Sequence, residues 1–311
     1  MKIIASIVLC FVVWVASVDA QQVTSGRLVE ITKDVPSSLA PRKVHVWLPD
    51  DYEQNGKHDV LYMHDGQMLF DAKTTWNKQD WGVDEIAGRL INEQKTRPFI
   101  VVAIDNGGTS LRHSEYFPEK PLSYLTPSFR ESLYEIKRGP NTPLFGKPVH
   151  SDDYLSFIVF DLKPYIDSNF NVNTGREYTF LMGSSMGGLI SLYGVLEYPN
   201  IFGGSANMST HWPGIFPKNI GDVNPVSGAF FSYIADHLPK PNQHKIYFDY
   251  GDKTLDAFYP PLQKQVDKLF IEQGYDKEHF TSDFYPGALH DEVSWQKRLD
   301  QPLLFLFGKE K

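Results

Sequence analysis

The stretch Gly183-Ser184-Ser185-Met186-Gly187-Gly188 is where this sequence is richest in potential chemistry. A serine hydroxyl becomes a nucleophile only when a base takes its proton. The spacing G-x-S-x-G holds such a serine at the tip of a sharp strand-to-helix turn, where glycines two before and two after keep side chains out of the bend. Only Ser185 satisfies it, because Ser184 has Met182 and Met186 at those offsets. A helix starting at Met186 would direct free N–H groups and its positive end toward the serine, so the Met186 N–H is expected as one donor to an anionic intermediate. The alternative is a Ser and Gly turn with a packing role only.

The base should be a histidine, last in chain order for this kind of turn. Of ten histidines, His290 alone is both late and on a strand-to-helix loop, after Pro286-Gly287-Ala288-Leu289; His279 is late but opens a strand. The acid that orients the imidazole should lie between serine and histidine, after the strand at 245–250, where Asp249, Asp252 and Asp256 compete. Asp249 is still in the strand and Asp252 sits in the Gly251 turn, so loop geometry favours Asp256. The second oxyanion donor is expected in His64-Asp65-Gly66-Gln67-Met68, at the Gln67 N–H. His64 beside Asp65 could hint at a metal site, but no further ligands recur at metal spacing, and a pair satisfied within the turn is the simpler reading.

These residues need a scaffold. Short β-branched or aromatic runs alternate with helical patterns from about residue 43 onward, the order expected of an α/β fold with a mostly parallel sheet. Strands are expected at 43–48, 60–64, 99–104, 178–182, 203–208, 245–250 and 280–284, with an antiparallel edge strand at 27–32. Helices are expected at 83–93, at 152–170 with Asp152 as cap, after the serine to about 198, and at 259–273 with Gly274 as stop. The last helix should run from about 291 to 305, bent or broken at Pro302. Residues 107–150, rich in proline and aromatics, break the alternation and read as an insertion over the carboxyl ends of the strands, a cap or substrate wall.

Composition narrows the field. The 311 residues carry 38 acidic and 30 basic side chains, a net charge of −8, which disfavours nucleic acid and anionic membrane as partners. Lys2, an apolar run over 3–16 and Val18-Asp19-Ala20 read as a signal peptide over residues 1–20, cleaved after Ala20, leaving one domain over 21–311. An uncleaved anchor is the rival, although the run is short of the roughly 20 residues that span a bilayer. A secreted or periplasmic location and no stable membrane insertion follow. The single cysteine, Cys10, lies in that segment, so a disulfide, a thiol nucleophile and thiolate metal ligation are excluded from the mature protein. The expected chemistry needs no metal or organic cofactor.

With these residues in place, the chain resembles the putative-esterase family of α/β-hydrolases, the esterase D group that takes in feruloyl esterases, enterochelin-type siderophore esterases, S-formylglutathione hydrolases and mycolyltransferases. The resemblance runs from about Val44 to Leu306. It rests on Tyr62-Met63-His64-Asp65-Gly66-Gln67, Trp81-Gly82-Val83-Asp84-Glu85, Gly183 to Gly188, Ser209-Thr210-His211-Trp212-Pro213, Phe248-Asp249-Tyr250-Gly251 through Asp256, and Pro286-Gly287 through His290. It implies an α/β-hydrolase fold, a triad of Ser185, Asp256 and His290, and an oxyanion hole of Gln67 and Met186. In related sequences an Arg and a Glu-Tyr pair follow the strand ending near Ile104; Arg112, Glu115 and Tyr116 look like them and are expected to line the entrance.

The expected reaction is hydrolysis of a carboxylic ester through an acyl-enzyme. Trp76, Trp81, Tyr116, Phe117, Tyr124, Tyr134, Phe145 and Trp212 fall in segments expected near the mouth, and aromatic faces suit sugar rings or aryl acyl groups. Feruloyl or acetyl esters on carbohydrate are therefore expected first and siderophore esters next, with an acyltransferase on the same triad as a further reading. A catalytically dead carbohydrate-binding module would need a broken triad. Asn207-Met208-Ser209 is a glycosylation triplet at a strand end near the site.

Overall fold

The computed structural model describes residues 21–31, 34–54 and 56–309. The expected signal peptide therefore lies outside the described residues. Among those described, no helix is long and apolar enough to cross a membrane.

Runs of β-branched and aromatic residues form β1 (Arg27–Ile31), β2 (Val44–Leu48), β3 (Asp59–His64) and β4 (Phe99–Ile104), with α1 (Val83–Asn92) between the last two. Residues 107–150 contain α2 (Arg112–Tyr116), α3 (Pro127–Leu133) and a small hairpin of β5 (Lys137–Gly139) and β6 (Thr142–Pro143). Then come α4 (Ser151–Ser156), α5 (Lys163–Asn169), β7 (Thr179–Ser184), α6 (Met186–Glu197), β8 (Gly204–Met208), α7 (Pro225–His237), β9 (Lys245–Tyr250), α8 (Pro260–Glu272), β10 (Phe280–Phe284), α9 (Glu292–Gln296) and α10 (Asp300–Phe307).

Eight strands form one sheet in the order β1-β2-β4-β3-β7-β8-β9-β10. β2 runs antiparallel to both β1 and β4, and from β4 to β10 all neighbours are parallel. The central strands are buried on both faces, which explains why they read as continuous apolar runs rather than alternating ones. Period two survives in the packing: Leu61, Met63, Val101 and Ala103 join the core under α1 and α10, while Val60, Tyr62, Ile100 and Val102 join the one under α4 to α8. This is the α/β architecture expected from the alternation, with helices on both faces.

Three details depart from the sequence reading. The helix expected at 152–170 starts at Ser151 and is interrupted by a π-helical turn at Phe157–Leu162. Asp152 does not cap it; it lies in the first turn, where its carboxylate accepts the Tyr193 hydroxyl at 2.6 Å. The terminal helix is two pieces, broken before Pro302 rather than at it, because Pro302 occupies the first turn of α10, where no N–H is required of it. α7 was not foreseen, although Asn224 caps it through Val226 and Ser227 N–H groups ahead of Pro225 at its first position, a readable start signal.

Candidate active site

The parallel strands all end on one edge, and the loops leaving that edge carry every residue of the site. β7 leads straight into Ser185, whose backbone sits at φ 58° and ψ −121°, a region that side chains other than glycine rarely occupy. The turn can exist because Gly183 has no side chain: a Cβ there would lie 2.8 Å from the Gly187 carbonyl carbon and oxygen. The strained residue is held by its N–H donating to Met208 O at 2.9 Å and by its carbonyl accepting from Leu189 and His211 N–H groups, each at 3.2 Å.

The loops after β9 and β10 are laced together. Gly287 N–H donates to Asp252 Oδ1 at 2.8 Å, Lys253 N–H to Ala288 O at 3.1 Å, and His290 N–H to Thr254 Oγ1 at 2.8 Å. These contacts bring His290 Nδ1 to 2.6 Å from Asp256 Oδ1. Of the three competing acids, Asp256 alone meets His290; Asp252 shapes the turn, and Asp249 is buried in β9 and paired with Arg298. The Asp256 side chain is fully buried and His290 largely so, which makes the Coulomb attraction between them stronger than it would be in water.

After β3, Asp65 adopts a left-handed conformation (φ 59°) that starts the 3-10 turn Gly66–Met68. Gly66 lets this turn lie on β4, since a Cβ would meet Ala103 and Ile104 backbone atoms at 2.8 Å. The turn presents Gln67. Met186 opens α6, so its N–H has no acceptor behind it in the helix. Neither Gln67 nor Met186 donates a backbone hydrogen bond outside its own helix. Arg112 secures the turn through two bonds to Asp65, Nε to Oδ1 at 2.6 Å and Nη2 to Oδ2 at 2.7 Å, and Asn106 Nδ2 adds another at 2.7 Å. Burial pushes the Asp65 carboxyl up, but Arg112 and Asn106 outweigh it and hold the group below its ordinary value.

Ser185, His290, Gln67 and Arg112 share the wall of a cavity of about 880 Å³ with Trp76, Trp81, Arg138 and Glu292. Ser185 and His290 face this common space without a direct hydrogen bond between their side chains. Such contacts are often long before substrate binds and tighten in the complex.

Not every residue expected at the entrance reaches it. Trp81 and Arg112 line the cavity; Glu115, Tyr116 and Trp212 lie behind its wall. Glu115 is fully buried in a two-bond pair with Arg42, Tyr116 accepts the Asp65 N–H at 3.2 Å, and Trp212 Nε1 donates to Gln263 at 2.7 Å. Phe117 and Phe145 pack on each other inside the insertion, and Tyr124 and Tyr134 are exposed away from the cavity, so of the aromatics expected at the mouth Trp76 and Trp81 line the cavity, joined there by Trp295. From residues 107–150 only Gly108, Thr109, Arg112 and Arg138 reach the cavity. His64 is buried, its Nδ1 meeting the Tyr154 hydroxyl at 2.8 Å while its Nε2 has no hydrogen-bond partner among the described residues. Asn207 is buried with its amide donating to Tyr247 O, so the glycosylation triplet is closed to a glycan-transferring enzyme.

The sequence reading passed over His211, Tyr259 and Trp295. His211 Nδ1 meets the Tyr259 hydroxyl at 2.8 Å, and Tyr259 also approaches the Ser185 side chain. Burial drives His211 well below the usual imidazole range, so it is neutral here. The rings of Tyr259 and Trp295 stand edge-on to His290, at 5.6 Å and 5.1 Å between centroids. Their position just after β8, after Asp256 and after His290, all on the carboxyl edge, is the signal that could have found them.

Comparison with known proteins agrees with this geometry. The sequence matches the family described as "Putative esterase" over residues 38–133 and 142–306. It is 23% identical over 278 residues to the uncharacterized protein YbbA of Bacillus subtilis (strain 168), covering 87% of this chain and 94% of that one. Among solved structures it is similar to a ferulic acid esterase (TM-score 0.62, 18% identity, 90% of this chain and 98% of that chain). It is also similar to an IroE-like serine hydrolase of Shewanella oneidensis (TM-score 0.65, 18% identity, 90% and 79%). Against the enterochelin esterase of Shigella flexneri (TM-score 0.59, 17% identity) it aligns over 92% of its own length but spans only 60% of that chain. Matched over most of its length and sharing the fold of these enzymes, the chain belongs to the putative esterase family of α/β-hydrolases.

Proposed function

We propose that this chain is a secreted serine esterase that works through an acyl-enzyme. The observation that carries the reading is the 2.6 Å contact between His290 Nδ1 and Asp256, with His290 on the same cavity wall as the strained Ser185. With Nδ1–H committed to the carboxylate, neutral His290 has Nε2 free to take the Ser185 proton as Oγ attacks the ester carbonyl. The oxyanion is met by the Gln67 and Met186 N–H groups, and His290 returns the proton to the departing alcohol. Water then resolves the acyl-enzyme by the same steps. The reading is tested with Ser185→Ala on a p-nitrophenyl short-chain ester: turnover should fall to the residual of binding alone, and a variant with wild-type turnover refutes it.

For substrate, we favour feruloyl or acetyl esters on carbohydrate. The 84% exposed Trp76 offers a flat apolar face on a wall that also carries Thr74, Thr75, Asn77 and Gln79, a mixture suited to a sugar with an aryl or short acyl group. A siderophore-type ester is the second reading, because Arg138 reaches the cavity with no carboxylate of the described residues in contact with it. A panel of acetyl, butyryl, feruloyl and catecholate esters separates them.

A further inference from the structure

Behind the Asp256–His290 contact lies a buried array that the reaction as written does not use. Asp256 Oδ2 accepts from Ser209 Oγ and from Gly251 N–H, both at 2.7 Å. Ser209 Oγ in turn accepts from Trp295 Nε1 at 3.0 Å and from Arg298 Nη2 at 2.9 Å. A serine hydroxyl has one hydrogen and two lone pairs. Here both lone pairs are taken, so the hydrogen can point only at Asp256. Ser209 itself is pinned in a left-handed conformation (φ 43°) at the end of β8, its N–H donating to Asp249 O at 2.8 Å. The same Arg298 Nη2 bonds Asp249 Oδ1 at 2.9 Å. Trp295, meanwhile, stands edge-on to His290 and packs on Trp81 of the cavity wall.

We propose that Ser209 is a positioning residue: its locked hydroxyl fixes the rotation of the Asp256 carboxylate and limits how strongly that carboxylate holds the His290 proton, with Trp295 and Arg298 acting through it. This rests on the esterase reading. The direction follows from charge. A donor on Oδ2 draws density from Oδ1 and so weakens the stabilisation of the imidazolium; without it, Asp256 holds a protonated His290 more firmly. The other groups facing this pair are Asp249, Tyr247, Arg298, Tyr259, His211, Arg112, Asp291 and Glu292. Of these, only Arg298 loses a bond when the Ser209 hydroxyl is removed, and it keeps its bond to Asp249.

Ser209→Gly removes the hydroxyl and suits the left-handed backbone; Ser209→Ala is its companion. With a p-nitrophenyl ester, the acid limb of the kcat/KM pH profile should move up by about half a unit to one unit in both, with kcat about tenfold lower and KM unchanged. Trp295→Phe keeps a ring beside His290 but frees a Ser209 lone pair. It should shift the limb the same way by less, and should shift nothing when added to Ser209→Gly. An acid limb that stays in place in both Ser209 variants overturns the proposal. So does a Trp295→Phe shift of equal size in either background. Ser185→Ala run alongside separates the two levels: if it retains full turnover the esterase reading has failed, whereas if it is dead and the Ser209 variants are normal only this inference has.

Discussion

Replacing Arg112 by Met removes the cation that compensates Asp65 while keeping the bulk of the side chain. Asp65 would keep only Asn106 among its side-chain partners, because Arg112 supplies the other two bonds. The carboxylate is 11% exposed and Arg112 27%, so little water can replace the guanidinium. Breaking such a pair from one side costs about 3–5 kcal/mol when it is fully buried, and with Asn106 retained about 3 kcal/mol is expected. In a domain of this size that is a fall in Tm of roughly 5 °C.

The effect should depend on pH in a defined direction. In the wild type Asp65 is held below its ordinary value, so it stabilises above about pH 4 and that stabilisation is lost as pH falls through its folded pKa. In the variant burial is opposed only weakly, chiefly by Asn106, so the carboxyl shifts up and protonation on acidification relieves the penalty. The stability difference, measured by urea unfolding, should therefore be largest near neutral pH and shrink toward pH 4. Because Asp65 starts the turn that carries Gln67, kcat should fall as well. A variant as stable as wild type at pH 7, or a difference flat across pH 4–8, refutes this account of the pair.

Other outcomes follow from the same structure. Asp256→Asn should lower kcat by roughly three to four orders of magnitude with little change in KM, since an amide favours the wrong imidazole tautomer; steady-state kinetics would show it. Gly183→Ala should abolish activity and lower Tm, because its Cβ meets Gly187 backbone at 2.8 Å, whereas Gly187→Ala, whose contact is Asp65 Oδ2 at 3.4 Å, should retain far more of both. Glu115→Gln should be read in stability rather than KM: burial raises that carboxyl, but His150 and Arg42 pull it down to about 2, so wild type gains from it above about pH 4. Trp76→Ala should raise KM for an oligosaccharide ester and leave p-nitrophenyl acetate unaffected.

The strands and the serine turn were legible because their signals are local. Continuous apolar runs mark doubly buried strands, and the crowding at Gly183 demands glycine whatever surrounds it. From the residues themselves Asp256 was preferred over Asp252 only by where a loop must curl, a preference the family resemblance strengthened; the interlaced turns that join it to His290 depend on pairs more than 30 residues apart, such as Thr254 and His290. The placement of Glu115, Tyr116 and Trp212 behind the wall was illegible for a different reason. An aromatic or acidic residue in a mouth-forming segment is equally at home facing the cavity or supporting it, and Arg42, which claims Glu115, is 73 residues away. Ser209 carried no signal of its own: its role depends on Trp295 and Arg298, which converge on it from the far end of the chain.

The central claim is that the hydroxyl of residue 185 is the group that attacks. Reaction of the folded protein with a fluorophosphonate, followed by peptide mass mapping, tests it most directly. The account predicts a single adduct on Ser185, absent from Ser185→Ala and formed far more slowly in His290→Ala. An adduct on another residue, or an active protein that forms none, contradicts it.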